Sequence, residues 1–205
     1  MLDGLEIPDS VDGGQIAQTL KSFRRSLKGE VANNTSSSGL RSCHRTHRAF
    51  LEDFRETIET AEKPLLSISE QQSQISRTDG KWSPKEIIGH LIDSAAHNHQ
   101  RFVRAQFNDE LAFSGYEQED WVLVQGYNQE PWQQLVQLWK HYNLHLVHLM
   151  SLVPEQTRTK PRPKHNLDQI AWKTVARSET VTLDYFMRDY VAHLKHHLGQ
   201  ILPSD

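Results

Sequence analysis

Hydrophobic residues recur at intervals of three and four along most of the chain, and this spacing predicts amphipathic helices. In the first such stretch, which begins near residue 47, Phe50, Phe54 and Ile58 fall on one helical face. Another stretch begins after Pro131, and its apolar stripe consists of Leu135, Leu138, Trp139, Tyr142, Leu146 and Leu149. The whole pattern predicts four long helices, over residues 47–66, 84–107, 131–152 and 181–202.

The second predicted helix carries clear signals for its start. Ser83 suits the N-cap, and Pro84 suits the first helical position. Glu86 follows three residues after Ser83, which completes the pattern of a capping box. The helix is therefore expected to begin at residue 84.

The connections between these helices show no such period. Residues 108–130 are predicted to be a connecting segment that is longer than most helix-to-helix loops. Residues 153–172 contain three prolines and are predicted to be a second long connection. Four long helices, no strand pattern and no internal repeat predict an all-α protein, an antiparallel four-helix bundle.

The first 46 residues differ in composition from the rest of the chain. Their second half is a polar tract, VANNTSSSGLRS, which has too few apolar side chains to order itself by burial. We therefore predict a flexible N-terminal extension over residues 1–46 and a bundle domain over residues 47–205.

Composition narrows the class of protein. The 205 residues fit one domain, and a net charge of −3 argues against a general nucleic-acid binder. No segment approaches the roughly 18 apolar residues that a membrane span needs. The N-terminus lacks the basic start and apolar stretch of a secretory signal. Since the single cysteine, Cys43, cannot form an internal disulfide, the reducing cytoplasm is the expected location.

The chain has twelve histidines, and their positions on the helices matter more than their number. On the last predicted helix, Phe186, Tyr190, His193, His197 and Ile201 follow one another at steps of three or four and share one face. Two histidines thus lie on the stripe expected to face the interior. Histidines one turn apart can chelate one metal ion, or they can be hydrogen-bonded core residues. The spacing leaves both interpretations open.

The second predicted helix supplies another candidate ligand. His90 lies beside the apolar stripe, on a polar ridge with Ser94, His97 and Arg101. One interpretation is that this ridge is a solvated face. The other is that His90 borders a cleft between the second and fourth helices, where it would complete a three-histidine site. Periodicity alone does not choose between them.

Two blocks of sequence have the spacing of a known family. The first is W-S-x-x-E at residues 82–86, followed by H-L-x-D-S at 90–94 and R-F at 101–102. The second is T-L at 182–183, followed by Y-V-x-H-x-x-H-H-L-x-Q-I at 190–201. Over about residues 47–202 the chain resembles the DinB/YfiT-like metal-binding four-helix bundles, which include the bacillithiol S-transferases. The resemblance implies that the metal ligands are His90, His193 and His197.

The resemblance also implies a cofactor and a range of activities. The cofactor is one divalent ion, with Zn, Ni and Fe as the candidates, and three histidines leave it open coordination positions. Such an ion favours a bound thiolate or a bound hydroxide. The favoured function is the transfer of a small thiol, such as bacillithiol, to an electrophile. A metal-dependent hydrolase and a non-catalytic metal-binding bundle are the alternatives.

Four other residues are candidates for supporting roles. Asp93 could orient an imidazole or a bound water, or it could be a surface or capping carboxylate. Arg101 could hold an acidic group of the substrate, or it could pair with an acidic neighbour. His196 is expected on the flank of the metal site, and Gln200 is expected to hydrogen-bond near it.

The expected partner is a small molecule, with low-molecular-weight thiols the favoured class. A second copy of the chain, in a homodimer, is another candidate. Nucleic acid and membranes are not expected partners.

Overall fold

The structure, a computed structural model, describes residues 38–78 and 80–202, and it describes their side chains from residue 45 onward. Over these residues the chain forms eight α-helices: α1 Ser38–Ser67, α2 Glu70–Ser73, α3 Pro84–Arg104, α4 Gln118–Gln125, α5 Trp132–Ser151, α6 Glu155–Thr159, α7 Leu167–Ile170 and α8 Leu183–Ile201. A short 3-10 helix, Tyr127–Gln129, lies between α4 and α5. The same part of the chain contains no strand, only two isolated β-bridges. The prediction of an all-α fold is confirmed.

The four predicted long helices correspond to α1, α3, α5 and α8. The first of them begins at Ser38 rather than at residue 47. The added residues include Leu40, Arg41 and Arg45, which have good helix propensity, and no proline interrupts them. Residues 1–37 of the predicted extension lie outside the described residues, so its flexibility and the division of the chain near residue 46 stay predictions.

Side-chain caps fix the starts of the two helices that carry the candidate ligands. The Ser83 hydroxyl accepts a hydrogen bond from the backbone N–H of Glu86, whose carboxylate accepts one from the N–H of Ser83 at 2.7 Å. The predicted capping box therefore forms at the start of α3. At the start of α8, the Thr182 hydroxyl accepts a hydrogen bond from the N–H of Tyr185 at 3.1 Å. These caps satisfy N–H groups that have no partner within the helix.

The core is built from the apolar stripes of the four long helices. Aromatic rings meet edge to face at its centre, with ring centroids 6.1 Å apart for Phe54 and Tyr190 and 5.6 Å apart for Phe102 and Phe186. Burial of each large apolar side chain contributes about 1.5–3 kcal/mol to stability. Fully buried members from the four helices include Phe54, Ile58, Ile88, Leu91, Trp139, Leu146 and Leu194.

Polar contacts hold the long helices in register. The Tyr190 hydroxyl on α8 donates to the amide oxygen of Asn143 on α5 at 2.6 Å, and both groups are buried. The indole N–H of Trp132, at the start of α5, donates to the carbonyl of Leu65 on α1 at 2.8 Å. Since each of these buried polar groups has a partner, the hydrogen bonds offset the cost of desolvation while they orient the helices.

The segment 108–130, predicted to be a plain connection, contains α4 and the 3-10 helix. Helix α4 was not predicted, because its apolar residues do not recur at helical spacing on one face. Val122 is buried, but its neighbours Leu123 and Val124 are 78% and 84% exposed. Gly126, with φ at +60°, separates the two short helices in a conformation that favours glycine. None of the described helices has the length and apolar character needed to cross a membrane.

Candidate metal centre

The structure brings the three predicted ligands together. His90 lies on α3 and is fully buried, whereas His193 and His197 lie one turn apart on α8 and are partly buried. One nitrogen from each imidazole lies within 4.8 Å of the corresponding nitrogens of the other two. The Nε2 atoms of His90 and His193 are 3.2 Å apart. Helix α3, which begins after the Ser83 cap, and helix α8, which begins after the Thr182 cap, thus bring their histidines to one place.

This cluster suits a tetrahedral metal ion. Zinc–nitrogen bonds of 2.0–2.1 Å place two ligand nitrogens about 3.3–3.4 Å apart at a tetrahedral angle. The separation of His90 Nε2 and His193 Nε2, 3.2 Å, is close to that value. All three donors are imidazole nitrogens, a ligand type that Zn, Ni and Fe accept.

Burial keeps these histidines in the form that a metal requires. Desolvation, followed by the proximity of His197, lowers the pKa of His90 to about 3. Desolvation and the neighbouring histidines also lower the pKa of His193 to about 3, and burial lowers that of His197. The imidazoles are therefore neutral at neutral pH, with a lone pair free for coordination.

Two more residues surround His197 and His90. The Nδ1 of His197 is 3.1 Å from the amide oxygen of Gln200, so Nδ1–H donates to Gln200 and the Nε2 lone pair remains for the cluster. The Gln200 amide then donates to Nε2 of the exposed His196 at 3.2 Å. On the other side, the ring of Trp82 lies 4.9 Å from that of His90. Gln200 and Trp82 thus restrict the orientation of two of the three imidazoles.

The carboxylate of Asp93 does not orient an imidazole of the histidine cluster in this structure. Its Oδ1 accepts hydrogen bonds from the Gln125 amide at 2.6 Å and from the Tyr127 hydroxyl at 2.7 Å. Burial raises the pKa of this carboxyl group, and the two hydrogen bonds oppose that shift. Among the described residues, Asp93 Oδ2 and His90 Nδ1 are buried without hydrogen-bond partners. The observed contacts of Asp93 instead connect α3 to α4 and the 3-10 helix.

A cavity of about 210 Å³ opens beside His193 and His197. Its walls come from α3, the segment before α4, the connection around α7 and the inner face of α8. Most of the lining side chains are polar or aromatic, and they include Ser94, Asn98, Arg101, Tyr116, Gln169, Trp172, Asp189 and Tyr190. The histidine cluster is therefore accessible to a small molecule from one side.

Several of these lining residues were not identified from the sequence, among them Asp189 and Trp172. Asp189 accepts hydrogen bonds from the backbone N–H groups of Trp172 at 2.9 Å and Lys173 at 2.8 Å, which holds that connection against α8. Its spacing, four residues before His193, could have identified it as part of the same helical face. Trp172 carried no such signal, because it lies in a connection without periodicity.

Arg101 lies on the cavity wall and is only 6% exposed. Its guanidinium group donates to the carbonyl oxygen of Ser114 at 2.9 Å. Within the described part of the chain, no carboxylate pairs with it. The predicted pairing with an acidic neighbour therefore does not occur among these residues.

Comparison with known proteins identifies a family. The family model described as the DinB superfamily matches residues 53–201. No curated protein matches the sequence. Among solved structures, the chain is similar to YfiT from Bacillus subtilis, which is described as a probable metal-dependent hydrolase with an unusual four-helix bundle topology. The identity is 16%, the TM-score is 0.64, and the match covers 83% of this chain and 88% of YfiT. At that identity the likeness shows the shared bundle fold.

Proposed function

This chain belongs to the DinB superfamily, and from that premise we propose that it is an enzyme that holds one divalent ion on His90, His193 and His197. The observation that carries the proposal is the convergence of three neutral imidazole nitrogens, two of which, those of His193 and His197, belong to residues that line a cavity. An ion held there would stabilise the anionic form of a thiol or of water at neutral pH. Zn, Ni and Fe are the candidate ions, since each accepts imidazole nitrogens as ligands.

The proposed reaction is the transfer of a small thiol to an electrophile. The thiol sulfur loses its proton to solvent and forms a bond to the electrophilic carbon. In a substitution, the leaving group departs with the electrons of the bond that breaks. The chain's residues hold the two reactants in the cavity and keep the three imidazoles neutral.

The carboxylates around the cavity favour the thiol over water as the nucleophile. Asp189 accepts two backbone hydrogen bonds, and Asp93 accepts hydrogen bonds from Gln125 and Tyr127. Neither contacts the histidine cluster as a general base would. A thiol has a pKa of about 8–9 before any ion binds it, whereas free water is a far weaker acid and would depend entirely on the ion for its ionisation.

A metal-dependent hydrolase is the second candidate, and the description of YfiT favours it. Either reaction would use a small molecule, because a cavity of about 210 Å³ is below the roughly 300–1,000 Å³ of most ligand pockets. The thiol reaction also suits the predicted cytoplasmic location, where low-molecular-weight thiols are kept reduced. A homodimer stays a prediction.

The test supplies bacillithiol, glutathione, mycothiol and cysteine in turn, with a chlorobimane-type electrophile that loses chloride on conjugation. Metal-loaded protein is expected to accelerate conjugation with at least one thiol, and chelator-stripped protein is not. The variant His193→Ala should lose the acceleration, whereas His148→Ala, which changes an exposed histidine of α5, should keep it. Cys43→Ala should also keep it, because Cys43 lies outside the residues that match the family.

Hydrolysis of an ester or amide without any metal-dependent conjugation would favour the hydrolase. The absence of both reactions would refute the proposal that the chain is an enzyme of either kind.

A further inference from the structure

A buried positive charge lies in the same cavity as the histidine cluster. The guanidinium of Arg101 has five N–H groups, and one of its nitrogens donates to the Ser114 carbonyl. No carboxylate of the described residues pairs with Arg101, although the residue is only 6% exposed to solvent. Burial of an unpaired charge is costly unless something compensates it.

The other polar groups of the cavity do not compensate this charge. Asp189 is the single acidic residue among the described residues that line the cavity. Both of its oxygens accept backbone N–H groups, from Trp172 and Lys173. The remaining polar lining residues, such as Ser94, Asn98 and Gln169, are uncharged. Among the described residues, Arg101 is therefore left without an ion-pair partner at the cavity.

A bracing role for Arg101 does not account for these features. A bond to one carbonyl, that of Ser114, needs a single N–H donor and no charge. A guanidinium group instead presents a planar fork that matches a carboxylate through two parallel hydrogen bonds. Neutral histidine ligands would also leave the full charge of a bound ion in place, so an anion would be attracted both to Arg101 and to the ion.

We propose that Arg101 binds a carboxylate group of the small molecule whose reacting group lies at His90, His193 and His197. This subsite names the substrate class of the proposed function and rests on it. The substrate is a small acidic compound, and in the thiol reaction it is a thiol that carries a carboxylate.

Helix geometry limits the distance between the two groups of the ligand. His90 and Arg101 are on the same helix, and their Cα atoms are about 16 Å apart along its axis. Side chains on a helix lean towards its N-terminus, so the long Arg101 side chain extends towards the histidines. We therefore expect several bonds to separate the carboxylate of the ligand from its reacting group.

The experiment measures binding by titration calorimetry with matched probes. Mercaptopropionate and mercaptohexanoate are each compared with the corresponding primary amide, on the metal-loaded full-length chain. The sulfur-free acids propionate and hexanoate, and their amides, form a second set. The variants are Arg101→Met, Arg101→Lys and the control Arg104→Met, which changes an exposed arginine one turn further along α3.

The wild-type chain is expected to bind at least one acid about tenfold or more tightly than its amide, as a buried, charge-assisted bidentate contact implies. Arg101→Met should abolish that preference, Arg101→Lys should retain part of it, and Arg104→Met should leave it unchanged. An equal affinity of the wild-type chain for acid and amide in every pair would overturn the subsite without any need for a folded variant. A preference that survives in Arg101→Met would also overturn it.

The two probe sets separate this subsite from the proposed function. If the thiols bind more tightly than their sulfur-free counterparts but acids and amides bind equally, the thiol proposal stands and the Arg101 subsite is wrong. If sulfur makes no difference but the acids keep an Arg101-dependent preference, the subsite stands and the thiol proposal is wrong.

Discussion

At the scale of single residues, the absence of a side chain at position 89 is what lets the ring of Tyr127 lie against α3. A Cβ atom at Gly89 would come within 2.1 Å of Tyr127 Cδ2. The same ring carries the hydroxyl group that donates to the buried Asp93. Gly89 therefore positions a contact beside His90, its neighbour in sequence.

We predict opposite effects for alanine at two helical glycines. Gly89→Ala should lower the free energy of unfolding by about 1–3 kcal/mol, because the buried Tyr127 ring must shift. Gly199→Ala is the matched control, since nothing lies within 4 Å of its added Cβ. It should raise stability by roughly 0.5–1 kcal/mol through helix propensity. Urea denaturation measures both, and equal effects of the two changes would contradict the packing argument.

The residues of the metal site differ in how far the sequence could predict them. His193 and His197 share a helix, so their spacing alone placed them on one face. His90 lies on another helix, and its polar ridge looked like a solvated face. The structure instead buries His90, Ser94 and Arg101 of that ridge, and the last two line the cavity. The periodicity of one helix does not indicate which other element packs against it. For His90, periodicity left a solvated face and a metal ligand as alternatives, and the family resemblance favoured the ligand.

At the scale of elements, the long helices were predictable and the short ones were not. Helices α3, α5 and α8 begin and end within three residues of their predicted bounds. Long apolar stripes and side-chain caps explain this success, since both are local signals. Helices α4, α6 and α7 have eight residues or fewer, too few to show a period.

The connection around Trp172 depends on one side chain of α8. Asp189 accepts the N–H groups of Trp172 and Lys173, and Trp172 is 40% exposed at the cavity. We predict that Asp189→Ala releases this connection and makes the bond after Lys173 more susceptible to trypsin. The exposed Asp120→Ala on α4 is the control. Mass spectrometry of the first cleavage products measures the effect, and an unchanged cleavage pattern would show that Asp189 does not hold the connection.

At the scale of the whole molecule, a charged cluster joins the first and last long helices to α6. Asp184 on α8 pairs with Arg158 on α6 and with Arg188 at 2.7 Å, and His47 of α1 lies 3.5 Å away. Burial raises the pKa of Asp184, but these partners outweigh it and hold the pKa well below its ordinary value of 3.8. The ionised form therefore stabilises the fold.

This shift contributes to the dependence of stability on pH. The unfolded chain takes up a proton at Asp184 near pH 3.8, whereas the folded chain does so only at a lower pH. The stabilisation is therefore complete above pH 3.8 and is lost as pH falls below it, by at most about 1.4 kcal/mol per pH unit. Asp184→Asn should be less stable at neutral pH and should lose stability less steeply in acid. Unfolding curves at several pH values test this, with Asp120→Asn expected to follow the wild type.

The overall bundle followed from four apolar stripes, and the DinB superfamily match agrees with it. The cavity could not be predicted in the same way. Its walls combine α3, α8 and two connections whose sequences carry no periodic signal. Long-range packing, rather than local propensity, brings Arg101 and Asp189 to the same space as the histidines.

The metal content of the purified chain tests the three-histidine site most directly. Elemental analysis of the wild type should find about one divalent ion per chain, and dialysis at acidic pH should remove it, because protonated imidazole cannot bind a metal. The double variant His193→Ala/His197→Ala should contain none. The double variant His141→Ala/His148→Ala, which changes two exposed histidines of α5, should keep the wild-type content. Two results would contradict the proposed metal site. One is a metal content unaffected by the loss of His193 and His197, and the other is a wild-type chain that binds no metal when metal is supplied.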